Sequence, residues 1–358
     1  LIAVPTHSKP LSRRLRRLFL KLAILFITSI VCLTLAELAA RWAFPQFNPH
    51  AQLAFHAMPG GFALGPASQT EWDAAPKGDF NVKVHFNQYG FRDDKDLHQS
   101  TEADWFAVGD SFTLGFGVDE DKRYSDLLEQ KFQAAGRHTR VFNIGIPGNF
   151  IDYEHLVGYA QTNGARIGHL IVGVCMDNDL FDYHHGQSDW LNMAHQHPQR
   201  SLKDNARHWL KTHSALYITA SFVLESSPRG RRLMEKIGVA NDLVAMDAGF
   251  KNHLTDADLQ SCRDELARLA AMSPDTVILI VPSRRIWLAD RPTEESIHDR
   301  FVQLCRNAGL KVVDPKSTFD RDPDPLSYYF AHDPHWSPRG HAAAAQLLFE
   351  AIPPAPPQ

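Results

Sequence analysis

The stretch "FAVGDSFTLGFG", residues 106–117, decides how this chain folds and what it can do. An apolar run ends abruptly in Gly109-Asp110-Ser111, and Gly115 and Gly117 follow within a few residues. Gly, Asp and Ser are ordinary turn residues, so one reading is a polar turn and no more. The other is a serine nucleophile presented at the carboxyl end of a strand. The segment alone does not choose between them; the segments around it do.

Together with "WFAV" at 105–108, four further runs, "RVFNIGI", "HLIVGVCM", "TVILIVPS" and "LKVVDP", are short, apolar and β-branched. Helix-period segments separate most of them. Helices are expected at Tyr124–Ala134, Ile151–Thr162, a Thr255-capped segment with Leu259, Cys262, Leu266 and Leu269 on one face, Glu294–Asn307 and Pro338–Ile352. Five strands joined by crossover helices predict a doubly wound α/β domain with a parallel sheet over residues 101–352. Residues 180–250 break the rhythm and read as a helical insertion between the third and fourth strands. The tail 353–358, "PPAPPQ", reads as extended and disordered.

Upstream, residues 18–40 are almost wholly apolar, interrupted by Lys21 and Glu37 near the ends, which is the length a bilayer-spanning helix needs. Arg13, Arg14, Arg16, Arg17 and Lys21 crowd its amino-terminal side. A transmembrane anchor with residues 1–17 in the cytoplasm and the body exported is expected. A cleaved signal peptide or a buried core helix would share the pattern, but no clean small-x-small cleavage site follows. Residues 41–100 read as a linker and lead-in, within which Val82, Val84 and Phe86 alternate before a turn at Gly90. Seven of the 37 Lys/Arg and only one of the 41 Asp/Glu lie in residues 1–44, so the remainder is net acidic. Nucleic acid is therefore not an expected partner. Cys32, Cys175, Cys262 and Cys305 show no metal-ligand spacing. The last three are expected as buried thiols, with a Cys262–Cys305 disulfide the alternative.

In an open α/β sheet, functional groups gather beyond the carboxyl ends of the strands. Four polar clusters fall there: Gly109-Asp110-Ser111 after the first strand, Asn143 to Gly148 after the second, Asp177-Asn178-Asp179 after the third, and Asp333-Pro334-His335 after the fifth. Acyl transfer by serine needs a base, a carboxylate to orient the base, and donors for the oxyanion. The clusters supply each part once. Ser111 is the candidate nucleophile, His335 the base and Asp333 its orienter; the Ser111 and Gly148 N–H groups with the Asn178 amide form the candidate oxyanion hole. Two plainer readings stay open: Asn178 as a turn residue, and His335 as a capping histidine. His332, Asp333, His335 and His341 are all metal-ligand types, yet no second cluster has matching spacing, and no metal or cofactor is expected. His184, His185, His195 and His197 read as solvated residues of the insertion. No P-loop ending or dinucleotide-binding register accompanies the glycines.

These blocks, "GDSFTLGFGV", "NIGIPG", "DND" and "DPHWSPRGH", resemble the SGNH/GDSL hydrolase superfamily in their order and spacing over residues 104–350, with Ser111, Gly148, Asn178 and His335 at the four positions that name it. The resemblance implies a flavodoxin-like three-layer α/β/α sandwich with a five-stranded parallel sheet. "FNQYGFRDD" and the amino-terminal anchor are similar to the membrane-attached envelope branch, and "DPHW" to SGNH proteins of alginate-type polysaccharide O-acetylation. Two positions depart from the common pattern. Asp177 stands where a Gly is usual, and His332 stands where many members carry the catalytic Asp, three residues before the His; Asp333, two before, fits the acetylation branch better. The resemblance implies a serine esterase or O-acyltransferase acting on O-acyl, chiefly acetyl, esters of cell-envelope carbohydrate. It implies a single-pass inner-membrane protein with a periplasmic or extracellular catalytic domain, for which an envelope acyltransferase is a candidate partner. The alternative is a catalytically inactive SGNH module that binds glycan or a partner in a polysaccharide export or modification assembly.

Overall fold

The computed structural model describes residues 13–49, 53–75, 79–185, 206, 209–210, 213–225, 227–236, 254–288 and 291–354. A long helix, α1 (Arg13–Ala43), leads the chain; its Leu15–Ala43 portion holds an 18-residue stretch of mean hydropathy 2.5 and is long and apolar enough to cross a membrane. Two small antiparallel pairs follow, β1 (His56–Ala57) with β2 (Ala63–Leu64) and β3 (Thr70–Ala74) with β4 (Asn81–His85).

The body is a five-stranded parallel sheet of β5 (Trp105–Val108), β6 (Val141–Asn143), β7 (His169–Cys175), β8 (Asp275–Val281) and β9 (Lys311–Val313), in the order β6-β5-β7-β8-β9. All five expected strands are present. With β5 counted as the first, this is the flavodoxin-like 2-1-3-4-5 order, whose switch point lies between the first and third strands. Successive residues of β5 face opposite layers: Phe106 and Val108 enter one core, Trp105 and Ala107 the other. The first core is closed by α4 (Phe150–Thr162) and the helices Asp256–Ala270 and Arg291–Asn307; the second by α3 (Tyr124–Ala134) and the helix Pro338–Ala351. That is a three-layer α/β/α sandwich, and the helices fall within a few residues of their expected bounds. Thr255 caps its helix through a capping box with Asp258, as the sequence pattern predicts.

The lead-in is packed into the first core rather than strung out. Phe86 and Phe91 are fully buried, and the turn between them closes through the Asn87 carbonyl and the Gly90 N–H. Gly90 is required there: at φ +82° an added Cβ would also lie 2.7 Å from the Gly65 carbonyl. Cys175, Cys262 and Cys305 are buried free thiols, as expected in preference to a disulfide. Most of the 180–250 insertion lies outside the described residues, as do residues 1–12 and 355–358; its described part includes the helices Ala215–Glu225 and Pro228–Lys236. His195, His197 and the side chains of His184 and His185 also lie outside them.

Candidate active site

The opening stretch folds as a strand, a sharp turn and one turn of helix. β5 ends at Val108, and α2 (Ser111–Leu114) begins three residues later. Gly109 threads a gap that any side chain would fill, since a Cβ would sit 2.3 Å from Thr113 Oγ1 and 2.9 Å from the Gly173 carbonyl. Asp110 caps α2 by accepting the Phe112 N–H at 2.9 Å, and Gly115 ends it at φ +80°. Ser111 is thus the first helical residue, whose N–H has no intrahelical acceptor. The turn reading holds, and the turn lifts Ser111 above the carboxyl end of β5, the placement that the nucleophile reading requires.

His335 reaches Ser111 from the far end of the chain. Tyr329 bridges Trp336, and the Phe330 N–H donates to the His335 carbonyl at 3.0 Å, pinching 330–335 into a loop. Asp333 Oδ1 accepts both the His335 backbone N–H at 2.9 Å and Nδ1 at 2.6 Å. With Nδ1–H given to the carboxylate, Nε2 faces Ser111 Oγ at 2.8 Å as an acceptor for its hydroxyl. Burial pulls the imidazole pKa down, but the Asp333 charge and hydrogen bond outweigh it, so the His335 pKa lies above the ordinary value; burial raises and His335 lowers that of Asp333, which ends below its usual range. Arg284, in the turn after β8, donates to the Asp333 carbonyl at 3.0 Å and holds the loop from the other side.

The other two candidate groups sit after the strands flanking β5. Asn143 ends β6 with its amide donating to the Thr113 carbonyl at 2.7 Å and Ser125 Oγ at 2.9 Å, which ties the Asn143–Gly148 loop to α2. Gly148 precedes Asn149, the capping-box residue of α4, and a Cβ on it would lie 2.6 Å from that of Asp152. Asn178 lies between β7 and α5 (Asp179–His185), and its carbonyl accepts the Asp182 N–H at 2.8 Å. Sheet order thereby brings the Gly148, Ser111 and Asn178 segments to neighbouring strand ends. Beneath them Asp179 Oδ2 accepts the Cys175 N–H at 2.9 Å and the Tyr153 hydroxyl at 3.0 Å. Burial, then the charge of Asp110, pushes the Asp179 pKa far up; burial also takes Asp110 to about 6.

His332 and His341 do not join Asp333 and His335. His332 pairs with Asp79, whose Oδ2 accepts its backbone N–H at 2.9 Å and whose Oδ1 meets Nδ1 at 3.0 Å. His341 Nδ1 accepts the Tyr124 N–H at 3.3 Å, and burial holds its pKa down at about 3, a neutral structural imidazole.

Sequence reasoning missed how much the lead-in contributes. Buried Arg92 donates to the carbonyls of Gly115 at 2.6 Å and Val118 at 2.7 Å, and Asp73 Oδ2 accepts the Gly117 N–H at 2.7 Å. Together they fix the loop bearing Phe116, whose ring stacks on His335 at 4.5 Å, with Phe112 at 4.9 Å. Phe80 packs on Phe116 and Phe330. Burial raises the pKa of Asp73 to about 6, with the His335 charge opposing it. The sequence marks only an alternating strand and a turn at Gly90 there, and nothing local to Asp73 or Arg92 signals these partners 23 to 44 residues away.

Residues 247–358 match a family model described as ALGX: SGNH hydrolase-like domain, acetyltransferase AlgX. The matched span holds Asp333 and His335; Ser111, Gly148 and Asn178 lie before it. No curated protein matches the chain. Among solved structures, the chain is similar to LAE5, an alpha/beta hydrolase enzyme from the metagenome of Lake Arreo, at 15% identity over 71% of this chain and 97% of that one, with a TM-score of 0.39. The lipase/acylhydrolase from Enterococcus faecalis gives 14% identity, 69% and 93% coverage, and 0.39. A catalytic mutant of Axe2, an acetylxylan esterase from Geobacillus stearothermophilus, gives 12% identity, 71% and 96% coverage, and 0.39.

Proposed function

We propose that the protein is a membrane-anchored, extracytoplasmic serine esterase or O-acyltransferase that works through an acyl-enzyme on O-acyl, chiefly acetyl, esters of cell-envelope carbohydrate. The unbroken hydrogen-bond chain from Ser111 through His335 to Asp333 carries this reading. Ser111 Oγ attacks the acyl carbonyl as His335 Nε2 takes its proton, and Asp333 stabilises the imidazolium. The Ser111 and Gly148 N–H groups and the Asn178 amide receive the oxyanion. Collapse expels the alcohol, to which His335 returns the proton. Water or a second sugar hydroxyl, activated by the same histidine, then takes the acyl group; the match to an acetyltransferase-type domain over residues 247–358 favours a sugar hydroxyl as acceptor. In this reading α1 is a single inner-membrane span that leaves the catalytic domain outside the cytoplasm.

Intact mass after treatment with a fluorophosphonate tests the nucleophile. The wild type gains one adduct and Ser111→Ala gains none, while its turnover of an aryl acetate drops by roughly six orders of magnitude. An adduct that persists in Ser111→Ala assigns the nucleophile elsewhere, and a wild type that never labels supports an inactive binding module instead.

A further inference from the structure

The outer end of α1 does not stand alone. Its one carboxylate, Glu37, lies a turn before the end of the apolar run, where an unpaired charge against lipid is costly. Here it is paired on every side. Oε1 meets Arg41 Nε at 2.7 Å and the Ala215 N–H at 3.0 Å; Oε2 accepts the Ser214 hydroxyl at 2.8 Å and the Leu216 N–H at 3.0 Å. Arg41 also donates to the His213 carbonyl at 2.8 Å. Glu37 therefore caps the start of the helix Ala215–Glu225, and farther along it Phe222 packs on Phe47 at 4.6 Å. The helix runs beside the chain as it leaves the apolar span, from the level of residue 37 to that of residue 47.

Its composition suits that level. "ALYITASFVLE" carries no charge before Glu225, and Val223 is 61% exposed, with Leu224 beside it. Trp42 and Trp209 are exposed as well, the residue type that collects at membrane-water boundaries. On the next helix, Pro228–Lys236, the exposed residues Arg229, Arg232, Leu233 and Lys236 fall at i, i+3, i+4 and i+7, one cationic face with a leucine within it. An apolar helix followed by a cationic amphipathic one fits a surface of anionic headgroups.

We propose that the helices Ala215–Glu225 and Pro228–Lys236 lie in the headgroup layer of the membrane that α1 enters, with anionic lipid as their partner and Glu37 as the latch that seats them. The proposal rests on α1 being a membrane span. A catalytic domain held at two places, the anchor and this hairpin, keeps one orientation to the bilayer instead of swinging on a tether.

Spin labels on the full chain, in a Cys32→Ser background, test this in vesicles of phosphatidylethanolamine and phosphatidylglycerol. Single cysteines replace Ile27 in the span, Val223 and Leu233 on the hairpin, and Gln133 on a distant exposed surface. Collisions with oxygen and with a water-soluble nickel chelate then report depth. Labels at 27, 223 and 233 should favour oxygen several-fold over the label at 133. Glu37→Leu should return the label at 223 to water while 27 stays immersed and Ser111 still reacts with a fluorophosphonate. Vesicles of phosphatidylcholine alone should release the label at 233. Immersion at 27 with water access at 223 overturns the docking but leaves the anchor; water access at 27 overturns both. A label at 223 shielded from both probes identifies a protein partner and overturns the lipid assignment, and an unchanged label in Glu37→Leu overturns the latch.

Discussion

His335 and His332 lie three residues apart in one loop and are held alike: each has a carboxylate that binds both its backbone N–H and its Nδ1. The carboxylate of His335 comes from its own loop, whereas that of His332 comes from Asp79 in the lead-in. His335 also has Ser111 on its second nitrogen and phenylalanine rings against it, while the His332 side chain is 36% exposed. The contrast teaches that a carboxylate-imidazole pair is only half of a proton relay. The third partner and the aromatic wall, which excludes water and strengthens the Asp333 interaction, separate a candidate base from a loop clamp.

The largest expected effect after loss of Ser111 itself belongs to Asp333. Asp333→Asn leaves the loop closed but removes the charge that stabilises imidazolium, so kcat/KM on an aryl acetate should fall on the order of 10⁴-fold. The pH profile gives the sharper measurement. His335 must be neutral to take the Ser111 proton, so the rate is lost as pH falls through its pKa, and in the wild type that limb lies above the ordinary imidazole value. Without Asp333, burial dominates and the limb should move to lower pH. A limb that stays in place assigns the orienting charge to another carboxylate, with Asp110 and Asp73, whose charges also raise the His335 pKa, the candidates.

Asn178 comes next. Its substitution by Ala removes one proposed oxyanion donor and should cost roughly 10²–10³ in kcat with the pH limb unmoved. Circular dichroism and retained fluorophosphonate labelling would distinguish this from unfolding. A loss under tenfold would return Asn178 to the role of a turn residue.

How much of this was legible follows from which contacts are local. The strands and the Thr255 cap follow from short-range pattern, whereas the flavodoxin-like fold that gathers the Ser111, Gly148 and Asn178 segments was legible only through the family resemblance. Asp333 and His335 were singled out as one block after the fifth strand, and the contact between them is local, two residues apart. Asp73, Asp79, Phe80 and Arg92 were not. They act on groups tens to hundreds of residues away, through hairpins whose Pro, Gly and Ala content resembles a linker, and no periodicity encodes that docking. The insertion was legible as an interruption, but its bond to Glu37 spans 177 residues and leaves no local trace.

The smallest effect concerns the second half of the comparison and decides whether it is a real contrast. Asp79→Asn should change kcat/KM less than tenfold and leave the pH limb where it is. The His332 side chain is 36% exposed and that of Asp79 8%, so the change weakens one side-chain hydrogen bond worth about 1 kcal/mol, and the Asn carbonyl still accepts the His332 N–H. Loop 330–335 is held independently by the Tyr329–Trp336 bridge and by Arg284 on the Asp333 carbonyl, so it should not open. His332→Ala should behave like Asp79→Asn, and the double variant should cost no more than either alone, since both remove one contact. The check is the pair of pH profiles beside that of Asp333→Asn. If Asp79→Asn falls a hundredfold or shifts the limb in the same direction, the Asp79–His332 pair acts on the proton at Ser111, and the two histidines form one relay rather than a base and a clamp.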